Sequence, residues 1–262
     1  MIVFAQNTPE EDDFLQLLRQ ELHGQYDSLQ YMEQPPYFMA YRVNEATEHS
    51  VSANFGTIYD KTSAKSVVLT IELRVGTPEI DNYHYLTYKS TFVKQIPLPL
   101  DGNPDLVRKI LRSETRKTYQ EAVVQSIENN VAETLLFGDE DYEKFRYMRH
   151  DMDGYYEPPM RESHWHDDYF EQSLCYATGL QHFGLTEESA TLVYKINRKY
   201  LVNSENSYFV ENNSSAMLNL RVEGLTPDNV PEHVERQYFA YLPDLLPEKE
   251  VLRKEMEEME TL

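Results

Sequence analysis

Two adjacent prolines, Pro35 and Pro36, divide the first part of the chain into a stretch that can be helical and one that cannot. Proline lacks the N–H that a helix interior needs, and it pushes the residue before it out of the helical region. Ahead of the prolines, Phe14, Leu17, Leu18, Leu22, Leu29 and Met32 fall on one stripe at helical spacing, and the acidic residues 10–13 suit a helix start. The pattern predicts a helix over 9–33. Beyond the prolines, the runs 37–43, 50–59 and 67–75 are rich in aromatic and β-branched residues and are separated by polar or glycine-containing breaks, which predicts a three-stranded antiparallel meander. In the last run Val67, Leu69, Ile71, Leu73 and Val75 alternate with Val68, Thr70, Glu72 and Arg74, so one face is apolar and can be covered by the helix.

A connector with Pro97, Pro99 and Gly102 leads to Asn103-Pro104, a side-chain cap followed by proline at the first helical position. The helix predicted there carries Leu106, Ile110, Leu111, Tyr119, Ala122, Val123 and Ile127 on one stripe and runs to about 130. Between 138 and 159 acidic residues crowd a segment that ends in Pro158-Pro159, which suggests a boundary: a first domain at 1–145, a linker at 146–160 and a second domain at 161–262. The second part predicts a helix with Phe170, Leu174, Ala177 and Leu180 that stops at Gly184, then strands near 190–197, 199–203, 208–210, 216–223 and 235–241. Asn203 and Asn206 flank an expected tight turn, since asparagine tolerates the left-handed conformation. A charged helix over 248–261 closes the chain, and its thin stripe of Val251, Leu252, Met256 and Met259 suggests a packing partner elsewhere. The fold class expected is α+β: two consecutive domains, each an antiparallel β-meander packed against helices.

Hydrophobic residues make up 40% of the 262, enough for real cores. Against 24 Lys and Arg stand 45 Asp and Glu, a formal net charge of -21 that repels phosphate. The basic clusters are short, Arg108 to Arg116 with Lys109 and Lys117, and Arg198 with Lys199, so direct nucleic-acid contact is not expected. The excess acid suits solubility and can also draw basic peptides. One cysteine, Cys175, rules out an intramolecular disulfide and multi-cysteine zinc modules and reads as a small buried apolar residue. No apolar run approaches the length of a membrane helix. The start, Met1 to Gln6, looks like the tail of an export signal but is too short to be one; a cytoplasmic location is the default, with an exported precursor left open.

No H-E-x-x-H or H-E-x-x-x-H segment, nucleophile elbow, phosphate loop or dinucleotide fingerprint occurs. The nearest metal-like cluster is His164-Trp165-His166-Asp167-Asp168, whose alternate histidines would share a face if extended; Asp167 and Asp168 serve equally well as cap or first-turn acids. His150-Asp151-Met152-Asp153-Gly154 lacks the further carboxylates of a calcium loop, and Asp139 with Asp141 reads as a solvated charge run. Cys175 and His182 lie two helical turns apart, too far for a thiolate pair. Catalytic, cofactor-binding and metal-ligating residues are therefore assigned to none of these positions.

Several segments in order resemble the amino-terminal half of TldD/PmbA-type proteins, a metallopeptidase family also described as modulators of DNA gyrase. They are Pro35-Pro36-Tyr37-Phe38-Met39-Ala40-Tyr41-Arg42-Val43, Ala53-Asn54-Phe55-Gly56, Leu73-Arg74-Val75-Gly76 with Asp81-Asn82, Pro97-Leu98-Pro99-Leu100-Asp101, Arg116-Lys117-Thr118-Tyr119-Gln120-Glu121-Ala122, and Tyr200-Leu201-Val202-Asn203-Ser204-Glu205. The resemblance implies an α+β first domain, a smaller middle domain, and zinc only in a catalytic part with an H-E-x-x-x-H helix, which this sequence lacks. It implies a non-catalytic portion, inactive by itself, that helps to form a homo- or heterodimer, meets the catalytic domain of the same or a paired protein, and encloses unfolded peptide. A stand-alone protein- or peptide-binding module is the alternative. A hydrolase built around His164 and His166 is a third reading and would require stoichiometric metal.

Overall fold

The computed structural model describes residues 8–78, 81–83, 94–137, 154–160, 168–180, 184–226 and 228–259, with side chains as far as Val131 in the helix that ends at Phe137. After a 3₁₀ turn at Pro9–Glu11 come α1 (Asp13–Leu29), β1 (Pro36–Asn54), β2 (Thr57–Val75), β3 (Gln95–Pro97) and α2 (Pro104–Phe137). They are followed by β4 (Tyr155–Tyr156), α3 (Tyr169–Ala177), β5 (Leu185–Asn203), β6 (Tyr208–Leu225), β7 (Pro231–Ala240), a second 3₁₀ turn at Pro243–Leu245, and α4 (Lys249–Met259). The fold is α+β, as expected. Among the described residues seven strands join in one sheet, in the order β3-β2-β1-β5-β6-β4 with β7 also on β6. The short β4 runs parallel to β6, whereas β3 and β7 are antiparallel to their partners.

Where three short strands are expected in 37–75, the structure has two long ones. The polar stretches read as breaks are extended, and the chain reverses only at Phe55 and Gly56, with φ of 46° and 75°. A two-residue hairpin loop demands such positive values, because only these match the twist of the flanking strands. Likewise 190–197 and 199–203 merge into β5, and 208–210 and 216–223 into β6. The turn between them is the expected one: Asn206 has φ 66°, and the Asn203 side chain accepts bonds from the Glu205 and Ser207 N–H groups at 3.0 Å each.

The chain divides into two compact units, and each draws on three separate stretches rather than on one half of the sequence. The reason lies in the long strands, each of which contributes its two ends to different units. Most of the 146–160 segment read as a linker is outside the described residues.

Unit 1 comprises Met1–Glu45, Ser66–Pro159 and Arg198–Glu211. Its core sets Leu15, Leu18 and Leu22 of α1 and Val107, Leu111 and Ala122 of α2 against Met39, Tyr41, Val43, Leu69, Leu73, Tyr200, Val202 and Val210 of the sheet. Each fully buried leucine contributes about 1.5–3 kcal/mol. α1 ends at Leu29, sooner than expected, so Met32 is exposed rather than part of the stripe. On α2 the expected Leu106 and Ile127 are 45% and 48% exposed, while Thr115, Ser126 and Asn129 are buried. Polar partners explain the difference: the Thr115 and Tyr41 hydroxyls bond at 2.6 Å, and the Asn129 amide donates to the Asp81 carbonyl at 2.8 Å.

Unit 2 comprises Ala46–Lys65, Met160–Asn197 and Asn212–Leu262. Val51, Leu192, Tyr194, Leu218, Leu220 and Val222 of the sheet meet Phe170, Leu174 and Ala177 of α3 and Leu252, Met256 and Met259 of α4. Three members of the last helix's thin stripe, Leu252, Met256 and Met259, thus find a partner within the unit, while Val251 is exposed. The β1–β2 turn rests on the end of α3, where the Gly56 N–H donates to the Thr178 hydroxyl at 3.2 Å and that hydroxyl donates to the Leu174 carbonyl at 2.9 Å. A Cβ at Gly56 would stand 3.3 Å from the Gly179 Cα, and the left-handed φ already disfavours one. Gly56→Ala is expected to destabilise the unit by about 1–3 kcal/mol, read as a lowered urea midpoint. A midpoint equal to that of the parent chain would show that the turn is not held against α3.

Candidate functional site: an open sheet face

Strand alternation sends Tyr41, Val43, Leu69 and Tyr200 into the helix-covered core of unit 1, and it sends Arg42, Asn44, Val68, Thr70, Lys199 and Leu201 to the opposite face. On that face lies a concavity of about 390 Å³, lined also by Gln95, Phe209 and Glu211. Arg42 is paired with Glu72 at 2.6 Å and Lys199 with Glu211 at 2.8 Å, and the Phe209 ring stacks on Tyr155 at 4.9 Å. The floor is therefore apolar and hydroxyl-bearing, with two cations and an aromatic ring around it. Such a lining can hold an extended chain through van der Waals contact and hydrogen bonds. Among its lining residues there is no thiol or imidazole.

Behind this face the strand splits the pair that the sequence reading grouped as a basic cluster: Lys199 points out, and Arg198, 9% exposed, points in. The Arg198 guanidinium donates to Asp12 at 3.0 Å, to the Tyr200 hydroxyl at 2.7 Å and to the Glu157 carbonyl at 3.1 Å, and it lies 5.5 Å and 5.1 Å from the Tyr156 and Tyr200 ring centres. Burial works to lower its pKa, but the bonds to Tyr200 and Asp12 outweigh burial and hold it above the usual value. The Tyr200 phenol is pushed up to about 12 by burial and by the Asp12 charge.

A second polar cluster sits on the same unit. Tyr37 donates to Asp81 at 2.6 Å, Arg74 donates to Glu72 at 2.8 Å, and Arg74 covers the Tyr83 ring at 5.1 Å. Burial, followed by the nearby Glu72 charge, pushes the Tyr83 phenol up to about 12. Neither cluster was visible in the sequence, because its members are distant along it: Arg198 and Asp12 lie 186 positions apart, Tyr37 and Asp81 44. The other basic cluster, on α2, is largely paired as well: Arg112 forms a two-pronged bond with Glu21 at 2.8 and 2.7 Å, and Lys117 bonds Glu114 at 2.6 Å.

The sequence candidates for chemistry are not brought together in the described residues. His164, His166, Asp167, His182, Asp139, Asp141, residues 150–153 and the Met1-to-Gln6 start all lie outside them. Asp168 precedes α3, and of the cap or first-turn roles expected for it the side-chain cap is not made; its ψ of 2° departs from the extended geometry that a capping residue takes. Cys175 is half-buried against the unit 2 core, with its thiol pushed up by burial, which makes it a poor nucleophile. Among the described residues no group of three His, Cys, Asp or Glu is placed to hold a metal ion, so the zinc implied by the family resemblance has no ligand set there. No helix among them is long and apolar enough to cross a membrane.

An α+β protein built on one sheet, with an open sheet face in unit 1, is the class that these features define. No protein-family profile matches the chain, and no curated protein matches it in sequence. Solved structures do match. A protein named as a modulator of DNA gyrase from Bacteroides thetaiotaomicron aligns over 97% of this chain and 50% of its own, with a TM-score of 0.55 and 10% identity. TldE from Thermococcus kodakarensis aligns over 92% of this chain and 47% of its own, with a TM-score of 0.51 and 11% identity. The chain has a partial TldD/PmbA-type fold and spans about half the length of these neighbours.

Proposed function

We propose that the chain is the non-catalytic scaffold portion of a TldD/PmbA-like zinc metallopeptidase, and that the open sheet face of unit 1 receives an extended, unfolded polypeptide on its way to a catalytic domain. The observation that carries this reading is the 390 Å³ concavity on the strand face, whose apolar, hydroxyl and charged side chains can grip an extended chain. The fold likeness to about half of each neighbour supports it. In this reading zinc and its H-E-x-x-x-H ligands belong to the catalytic part, in the same or a paired protein, and the scaffold contributes to a homo- or heterodimer. Its role excludes direct contact with DNA, because the net charge is -21 and α2 pairs much of its positive charge internally.

Fluorescence anisotropy with a labelled, unfolded casein peptide tests the proposal, using the chain alone and then the chain mixed with a full-length TldD-type partner. Binding is expected, with no cleavage by the chain alone. Phe209→Ala removes the ring from the wall and is expected to weaken binding about fivefold or more, the usual loss for a buried interface aromatic. Lys199→Glu should weaken it for acidic peptides and not for basic ones. Absence of binding in both settings would remove the proposal, and stoichiometric zinc in the purified chain would redirect attention to His164 and His166.

A further inference from the structure

Unit 2 contains a cavity of about 240 Å³ between α3, the sheet and the segment that leads into α4. Its walls are apolar: Phe170, Leu174, Leu192, Leu218 and Leu252. Ser173 also reaches it, but its hydroxyl is spent on the Tyr169 carbonyl at 2.7 Å. The cavity exceeds the roughly 150 Å³ that suffices for a benzene molecule in a leucine-lined cavity.

The mouth is chemically different from the walls. Asp244 and Glu248 line the cavity and are exposed, and neither has an ion-pair partner among the described residues. Neighbouring cations are engaged elsewhere: Arg253 donates to the Tyr176 carbonyl at 2.8 Å and lies over the Tyr176 ring, and Lys249 sits nearest Glu250. Tyr169, half-exposed, adds an aromatic ring to the lining. The site thus has an apolar interior, two carboxylates at the opening with no ion-pair partner among the described residues, and an aromatic ring in its lining.

We infer that this cavity binds a small primary ammonium that carries one aryl or branched-alkyl group. The apolar group fills the space against Leu192 and Leu218, and the ammonium stays at the mouth beside Asp244 and Glu248, where it keeps most of its water. A neutral or anionic molecule of the same shape gains the burial but not the charge contact. The inference concerns unit 2 alone and stands or falls separately from peptide binding by unit 1.

The test is isothermal titration of the full chain with phenethylammonium, phenethyl alcohol and 3-phenylpropionate. Expected is saturable binding of the ammonium, about three- to tenfold tighter than the alcohol, with the carboxylate weakest. The double variant Asp244→Asn, Glu248→Gln changes only exposed side chains and should fold as the parent does. It is expected to bring ammonium and alcohol to equal affinity and to weaken the preference against 3-phenylpropionate. No saturable binding at millimolar ammonium, or an ammonium preference that survives in the double variant, overturns the inference.

Discussion

Arg198→Met is expected to cost unit 1 about 3–5 kcal/mol, the range found when one partner of a buried ion pair is removed. The loss does not measure the attraction between Arg198 and Asp12. It reflects what is left behind: an Asp12 side chain 9% exposed that loses its cationic partner while keeping the Leu15 N–H and the Tyr156 hydroxyl as donors, and a Glu157 carbonyl and Tyr200 hydroxyl that lose the guanidinium. Urea unfolding of the variant, followed by hydrogen exchange in α1 and β5, reads the effect. A second variant, Asp12→Leu with Arg198→Met, should regain part of the loss, because it removes both charges from the interior but also the side-chain cap that Asp12 places on the Leu15 N–H of α1. A loss below about 1 kcal/mol for Arg198→Met, the usual worth of a surface pair, would mean that water reaches the guanidinium.

Alkaline pH is expected to unfold the protein over a narrow range. Burial raises the Tyr41 phenol, and it pushes Tyr83 and Tyr200 up to about 12, against an ordinary value near 10. A group whose folded pKa is raised favours the fold fully below the unfolded pKa and loses that contribution as pH climbs through the folded one. Between about pH 10 and 12 each such phenol removes up to about 1.4 kcal/mol per pH unit, so the three together remove about 4. Absorbance at 295 nm should therefore show some of the 20 tyrosines ionising gradually and the remainder in a step that coincides with loss of circular dichroism. Tyr41→Phe removes one of the three phenols and should make the step shallower. A smooth titration with no step would show that these rings ionise in the native state.

How much of this was legible in the sequence depended on whether hydrophobicity alone decides the position. The alternating Val67, Leu69, Ile71, Leu73 and Val75 all enter the core, as do Leu17, Leu18 and Leu22. Strand length was harder to read, because residues such as Asp60, Lys61 and Lys65 resemble a loop. In the structure they are extended but exposed, and a strand that covers nothing carries no apolar signature. The polar interior was not legible at all: Thr115, Asn129 and Glu188 look like surface residues until their partners, distant in sequence, are known. The candidate face suffered from the same gap. Arg42, Lys199 and Phe209 belong to three different strands, and only pairing across the sheet makes them neighbours.

The placement of β5 beside β1 sets a schedule for biosynthesis. The β1–β2 hairpin is local and can close as soon as Val75 has been made, yet the strand that covers its other side ends only at Asn203. At about 5–20 residues per second the ribosome needs roughly 6–25 s to pass from one to the other. Throughout that interval the Met39 carbonyl of β1 and the Phe55 N–H of the turn after it, which will later bond Ser204 and Glu188, stand unpaired, an edge open to any passing strand. Nascent-chain chaperones should meet this protein at that stage, and a slowed translation between the two points should increase its aggregation without altering the finished fold.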